Sequence, residues 1–169
     1  MLKRFFPNQY LDSVFDIDYY KLYERNIRGL IFDIDNTLVP FDVIHPTKEI
    51  KDLFEKLIKM GFKICLLSNN SKKRVLLFNE KLNMPFVFRA KKPTLIGINK
   101  ALSLIKTDEK NTVLIGDQVF TDVWCANRKG IYVILLKPIA LKDEFSVKLK
   151  RGIEKLVIKY YEKSRRTKK

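Results

Sequence analysis

From residue 29 onward the chain alternates short apolar runs with longer amphipathic stretches, and this restricts its fold more than any other feature. Gly29-Leu30-Ile31-Phe32-Asp33-Ile34 reads as a buried strand. Pro46 to Met60 places Ile50, Leu53, Phe54, Leu57 and Ile58 on one helical face, and Gly61 ends the pattern. Phe62 to Leu67 is a second strand, Ser71 can cap a helix running to about Leu82, and Phe86-Val87-Phe88 is a short third strand. A helix from Thr94 to about Lys106 follows Pro93. Thr112 to Gly116 is a fourth strand, Val119 to Lys129 a further helix broken by Gly130, and Ile131 to Leu136 a fifth strand. Strands separated by helices of this length imply right-handed crossovers and a parallel sheet covered on both faces. The expected fold is therefore α/β: a doubly wound, Rossmann-like parallel sheet of about five strands, with ligands at the carboxyl ends of the strands. Residues 1–28 precede the alternation, and Asp18 can cap a short helix, Tyr19 to Asn26, packed on the sheet. One domain over residues 1–163 with this extension, followed by a disordered basic tail at 164–169, is the economical division.

The polar residues fall at strand ends. Asp33 and Asp35 close strand one, Ser68 and Asn69 follow strand two, Lys92 follows strand three, and Asp117 and Asp122 follow strand four. All of these positions map to one edge of the sheet, a stronger signal than any single short motif. Crowded carboxylates repel one another and need a cation, and an all-oxygen ligand set suits Mg²⁺ rather than Zn²⁺. In such a site Asp33 can attack phosphorus and form an aspartyl-phosphate. Asp35 emerges past the strand end, where it can protonate the leaving group and later activate water. Ser68 and Lys92 can hold the non-bridging phosphoryl oxygens. Asn69 is expected to orient Asp33 or the phosphoryl group, with helix capping as the alternative.

These segments resemble the four motifs of the haloacid dehalogenase-like (HAD) phosphatases: Asp33-x-Asp35-x-Thr37, Leu66-Leu67-Ser68-Asn69-Asn70, Lys92-Pro93, and Gly116-Asp117-Gln118-Val119-Phe120-Thr121-Asp122. The resemblance covers about residues 29–136. It implies Asp33 as nucleophile and Asp35 as acid and base, with Thr37, Ser68, Asn69 and Lys92 on the phosphate. It also implies Mg²⁺ held by Asp33, the Asp35 backbone carbonyl and Asp117, with Asp122 orienting a metal-bound water or the lysine. Dehalogenase relatives lack the second aspartate, so Asp35 favours a phosphatase. The whole chain is similar to the capless YqeG-like group, and that group to the mitochondrial phosphatidylglycerophosphate phosphatases. This similarity suggests an anionic lipid monoester, phosphatidylglycerophosphate, as substrate. The alternatives are a phosphatase for nucleotides, sugar phosphates or nucleic-acid ends, or a nucleic-acid- or ribosome-associated binding protein. No RNA-binding signature supports the last.

The spacing leaves no room for a lid domain, because 30 residues separate Thr37 from Ser68 and 23 separate Ser68 from Lys92. An open site can accept a phosphate displayed on something large. The net charge of +15 draws anionic partners, whether lipid, nucleic acid or phosphorylated substrate, although a lysine-rich surface can also be plain solvation. Residues 142–169 carry 11 Lys/Arg against 4 Asp/Glu. Within them Phe145, Leu149, Ile153, Leu156 and Tyr160 recur at helical spacing. This stripe can lie on an anionic surface or pack on the sheet, and the sheet's need for cover favours packing.

No apolar run approaches the length of a spanning helix, and no apolar core follows the basic start as in a signal peptide. The expectation is a cytoplasmic protein, soluble or peripheral on the inner face of the membrane, with Cys65 and Cys125 as buried free thiols. His45 precedes Pro46 in a loop bordering the site and reads as a turn residue or a substrate contact. Trp124 is expected in the core. Arg74 and Arg128 can reach a substrate phosphate or pair with acids on the helix surface.

Overall fold

The alternation becomes a six-stranded, wholly parallel sheet in the computed structural model, which describes residues 2–140 and 145–166. The strands are β1 (Gln9–Leu11), β2 (Gly29–Phe32), β3 (Lys63–Leu67), β4 (Phe86–Val87), β5 (Thr112–Gly116) and β6 (Tyr132–Leu136), in the order β1-β6-β5-β2-β3-β4. The helices are α1 (Tyr19–Glu24), α2 (Lys48–Lys59), α3 (Lys72–Asn79), α4 (Leu95–Ile105), α5 (Trp124–Lys129) and α6 (Phe145–Arg166). The sheet reverses direction of winding beside β2, where β5 and β3 flank it, and such a switch point opens a crevice at the carboxyl edge.

Strand alternation sends β2 side chains to opposite cores. Leu30 and Phe32 meet α1, α2 and α3 on one face, with the Phe32 and Phe54 ring centroids 5.1 Å apart and the rings tilted by 34°. Ile31 joins Cys65, Leu67 and Leu114 on the other face, under α4, α5 and α6. Burying each such large side chain contributes roughly 1.5–3 kcal/mol. Both cysteines are free and buried, and burial pushes the Cys65 thiol up to about 12 and the Cys125 thiol up to about 11.

Local chemistry sets the helix ends. Asp18 accepts from the Lys21 amide, Thr47 from Ile50 and Ser71 from Arg74, each closing an N-terminus. Gly61 and Gly130 take φ of 94° and 80° just past α2 and α5, a conformation that glycine adopts freely. The segments β2–β3 and β3–β4 hold only loops and one helix each, α2 and α3, so no cap domain stands over the carboxyl edge among the described residues.

Two expectations change. The strand count is six rather than about five, because β1 in the N-terminal extension pairs with β6 (Gln9 opposite Ile134). Three residues carry no readable period; the pairing is secured by Asn8, whose amide donates to the Val133 carbonyl and whose side chain accepts from the Val133 amide. The second change is the rotation of α6. Ile153, Leu156 and Tyr160, the stripe expected against the sheet, are 56–60% exposed. The buried face is Glu154, Val157 and Tyr161. Tyr161 packs edge-on against Phe6, and Glu154 goes inside because its carboxylate accepts the Phe120 amide at 3.2 Å. A hydrophobicity pattern cannot anticipate a buried glutamate. The helix runs through Arg166, so Ser164 and Arg165 are helical, and Arg165 donates to the Asn8 carbonyl. Residues 167–169, and the side chains of Phe145 and Leu149, lie outside the described residues.

Candidate active site

Asp33 is the first residue beyond β2, and its amide donates to the Ile115 carbonyl of β5 at 2.9 Å, so the sheet itself holds its backbone. The chain then turns sharply. Asn36 takes a φ of 61°, which asparagine tolerates better than most residues, and its amide donates to the Val39 carbonyl. This turn brings Thr37 back beneath the strand end, with its hydroxyl 3.3 Å from both Asp33 Oδ2 and Asp117 Oδ1. It carries Asp35 outward.

Asp117 follows β5, and a five-residue π-turn, Val119–Val123, swings Asp122 back over the strand. The Gln118 amide and the Thr121 hydroxyl donate to Asp122 Oδ2. Gly116 makes this possible, since any Cβ there would collide with the Asp122 carboxylate. Carboxylate oxygens of Asp33, Asp117 and Asp122, all buried, thus lie within 4.8 Å of one another. Lys92 reaches in from the loop after β4. Its ammonium donates to Asp33 Oδ1 and Asp122 Oδ1, both at 2.6 Å, and to the Leu67 carbonyl at 3.0 Å. Asn69 clamps the Lys92 backbone from both sides, accepting from its amide at 2.8 Å and donating to its carbonyl at 3.1 Å. Asn69 is therefore neither a cap nor a direct partner of Asp33; it fixes where Lys92 starts.

Charge is unbalanced here. Three carboxylates face one ammonium in a buried site. With protein groups alone, burial first and then Asp122 and Asp117 push the Asp33 carboxyl up to about 8, and Lys92 offsets only part of this. Burial works against the Lys92 charge, but Asp122 and Asp33 overcome it and hold the ammonium protonated.

Asp35 stands apart from the trio. Arg74 of α3 grips its Oδ1 through Nε at 3.0 Å and Nη2 at 2.8 Å, and Asn70 donates to its Oδ2 at 3.2 Å. Arg74 also donates from Nη1 to the Ile44 carbonyl, tying the β2–α2 loop to the same point. Arg74 thus pairs with an acid 39 residues away and not with a neighbour on the helix surface, a partner that helical spacing cannot mark. Ser68 is buried, and its hydroxyl accepts from the Asn70 amide. Asp33, Asp35, Ser68, Asn69 and Lys92 all line one open cleft of about 280 Å³. Asn36, Phe41, Asn70, Gln118 and Thr121 complete it, and none of these is marked by residue type alone.

His45, Arg128 and Trp124 do not line the cleft. His45 Nδ1 is 3.2 Å from the Leu77 carbonyl, joining the β2–α2 loop to α3. Arg128 donates to the Pro93 carbonyl, and Trp124 packs edge-on against Phe5.

Comparison with known proteins identifies the family. A family model described as mitochondrial PGP phosphatase matches residues 3–140. The probable phosphatase YqeG of Bacillus subtilis (strain 168) is 39% identical over 159 residues, covering 94% of this chain and 92% of that one. Among solved structures, an uncharacterized protein from Listeria monocytogenes serotype 4b matches with a TM-score of 0.54 at 23% identity, over 70% of this chain and 84% of its own. A putative beta-phosphoglucomutase from Thermotoga maritima matches at 0.55 and 13% identity, over 72% and 90%. These structural likenesses concern the fold.

Proposed function

Since the chain belongs to the mitochondrial PGP phosphatase family and is a phosphatase of the HAD type, we propose that Asp33 is the nucleophile of a magnesium-dependent phosphomonoesterase acting on phosphatidylglycerophosphate. The observation that carries this reading is the buried Asp33–Lys92–Asp122 bridge beside Asp117, opening on an uncapped cleft.

The residues fit a magnesium ion. Three converging carboxylates against one ammonium leave a local excess of negative charge that a divalent cation would balance, and an oxygen-only donor set suits Mg²⁺. Asp33, Asp117 and Asp122 would hold it, with the Asp35 carbonyl added by the family resemblance. When bound, the ion neutralises charge on the phosphoryl oxygens.

The protein groups divide the remaining work. An Asp33 carboxylate oxygen forms a bond to phosphorus as the bond to the leaving oxygen breaks, and Asp35 delivers a proton to that oxygen. Asp35, now ionised, takes a proton from the water that attacks the aspartyl-phosphate, which releases inorganic phosphate and restores Asp33. Lys92 and Ser68 stabilise the non-bridging oxygens, and Asn69 keeps Lys92 in place. Thr37 orients the carboxylates of Asp33 and Asp117. Arg74 and Asn70 hold Asp35 at the mouth, where a leaving group departs.

The test is a substrate panel with purified protein stripped by EDTA and resupplied with Mg²⁺: p-nitrophenyl phosphate, nucleotides, sugar phosphates and dispersed phosphatidylglycerophosphate. Mg²⁺-dependent release, fastest from the lipid and absent in Asp33→Asn, is expected. Equal release by wild type and Asp33→Asn removes the catalytic reading. A lipid rate no higher than the nucleotide rate removes the substrate reading.

A further inference from the structure

We infer that the rim of the cleft is a docking face for an anionic lipid surface, an inference that rests on the lipid-substrate reading above for its choice of partner. Asp33 lies on the cleft floor, only 6% exposed. A phosphate carried on a membrane lipid therefore reaches it only if the mouth of the cleft meets the bilayer. The composition of that mouth matches such an encounter.

Three large apolar residues are exposed on two separate loops tied to it: Phe41 at 38%, Ile44 at 50% and Ile139 at 49% exposure. Phe41 lines the cleft itself. The Ile44 carbonyl accepts from the arginine that grips Asp35. The Ile139 amide donates to the carbonyl of Asn36, another lining residue. Single exposed apolar residues are ordinary on a protein surface, but convergence of several on a site's mouth is a mark of an interaction surface. Exposed basic residues stand at the same edge of the sheet: Lys72 and Lys73 at the start of α3, after β3, and Arg89 and Lys91 after β4. Asp42 is an exposed acid among them. Apolar side chains that can enter the acyl boundary, ringed by cations that meet anionic headgroups, are the chemistry of interfacial binding. No helix among the described residues is long and apolar enough to cross a membrane.

A rival face exists. Ile153, Leu156 and Tyr160 of α6 are exposed as well, beside Lys155 and Lys159. Docking through α6 does not by itself set the cleft against the lipid, whereas docking through the rim does.

The full chain tests this with sedimentation on vesicles of phosphatidylcholine alone or mixed with phosphatidylglycerol, and with phosphate release from vesicle-embedded phosphatidylglycerophosphate. Ile44→Ser combined with Ile139→Ser leaves the backbone contacts of both residues in place. This double variant is expected to weaken binding to the phosphatidylglycerol vesicles, and turnover of the embedded lipid, by about tenfold or more. Its hydrolysis of p-nitrophenyl phosphate should stay within about twofold of wild type, since surface changes of this kind scarcely disturb folding. Ile153→Ser combined with Leu156→Ser should leave all three measurements unchanged. The inference is overturned if the α6 pair and not the rim pair loses vesicle binding, or if wild type binds neutral and anionic vesicles alike. If wild type hydrolyses the lipid while the rim pair equals it in every assay, the docking face is wrong and the substrate reading stands. If wild type docks through the rim yet releases no phosphate from the lipid, the substrate reading is wrong and the docking face stands.

Discussion

The floor and the rim of the cleft are built on opposite principles. On the floor, Asp33, Asp117, Asp122 and Lys92 are buried, and their carboxylates outnumber the cation. At the rim, Phe41, Ile44 and Ile139 are exposed, and the charged residues nearby are mostly basic. Between the two lies Asp35, partly exposed and held by Arg74. Charge in the dry floor is expensive unless it is matched, so Asp33 and Asp122 share the Lys92 ammonium and Asp117 accepts from the Thr37 hydroxyl, with the excess negative charge left for a cation. Charge at the wet rim costs little. The contrast separates the chemistry from the choice of what undergoes it.

Substitutions on the floor should be the most damaging. Asp33→Asn is expected to lower kcat by about 10⁴-fold or more on every substrate, because loss of a nucleophile is not recovered by the remaining groups. Steady-state rates on p-nitrophenyl phosphate and on the lipid check it; a loss confined to one substrate would break the division between floor and rim. Lys92→Met removes the only ammonium bonded to Asp33 and Asp122 among the described residues. Leaving buried charges unmatched costs about 3–5 kcal/mol, so thermal melting should fall steeply along with activity. Added Mg²⁺ should restore part of the melting temperature.

Arg74→Met acts midway. It frees Asp35 and the Ile44 carbonyl together, and kcat is expected to fall about tenfold through misplacement of the acid. Arg74→Lys keeps the charge but not the two-nitrogen grip on Asp35, so it should recover only part of the loss. A larger effect on KM than on kcat would instead place Arg74 on the substrate phosphate.

A further prediction concerns pH. With protein groups alone, burial and the neighbouring Asp122 and Asp117 raise the Asp33 carboxyl to about 8 from an ordinary 3.8. The folded chain then keeps a proton that the unfolded chain releases, so this contribution is full below the ordinary value and is lost as pH rises toward 8. Lys92 is shifted upward as well, and its contribution persists throughout that range. Relative to Asp33→Asn, wild type should lose melting temperature between about pH 5 and pH 8 in EDTA, and Mg²⁺ should cancel the loss. A parallel pH dependence of the two proteins would show that Asp33 does not titrate as the floor's charge imbalance demands.

The floor was legible in the sequence for the same reason that it is demanding. A parallel sheet delivers every strand's last residue to one edge, so strand positions alone bring Asp33, Ser68, Lys92 and Asp117 together. The α/β alternation marked the parallel sheet, and the short gaps match the single helices, α2 and α3, seen between β2 and β4. What escaped were features that depend on rotation or on partners distant in the chain. The α6 stripe was legible as a stripe, but which way it faced depended on Glu154 meeting the Phe120 amide. β1 was too short to show a period, and its place depends on Asn8 bridging to Val133. Asn69 carried the right residue type at the right place, yet its pairing with the Lys92 backbone depends on two loops meeting. The loop before Pro46 was legible as a border of the site, but the exposure of Phe41, Ile44 and Ile139 was not, because an isoleucine in a loop looks the same whether it faces water, protein or lipid.

The most direct test of the floor is to trap its covalent intermediate. Wild-type protein turning over p-nitrophenyl phosphate with Mg²⁺ is quenched in acid, reduced with borohydride and mapped by mass spectrometry, which converts a phosphorylated aspartate to homoserine. A nucleophilic Asp33 requires homoserine at residue 33, dependent on substrate and absent at residues 35, 117 and 122. Homoserine at another aspartate, or continued turnover by Asp33→Asn, would contradict it.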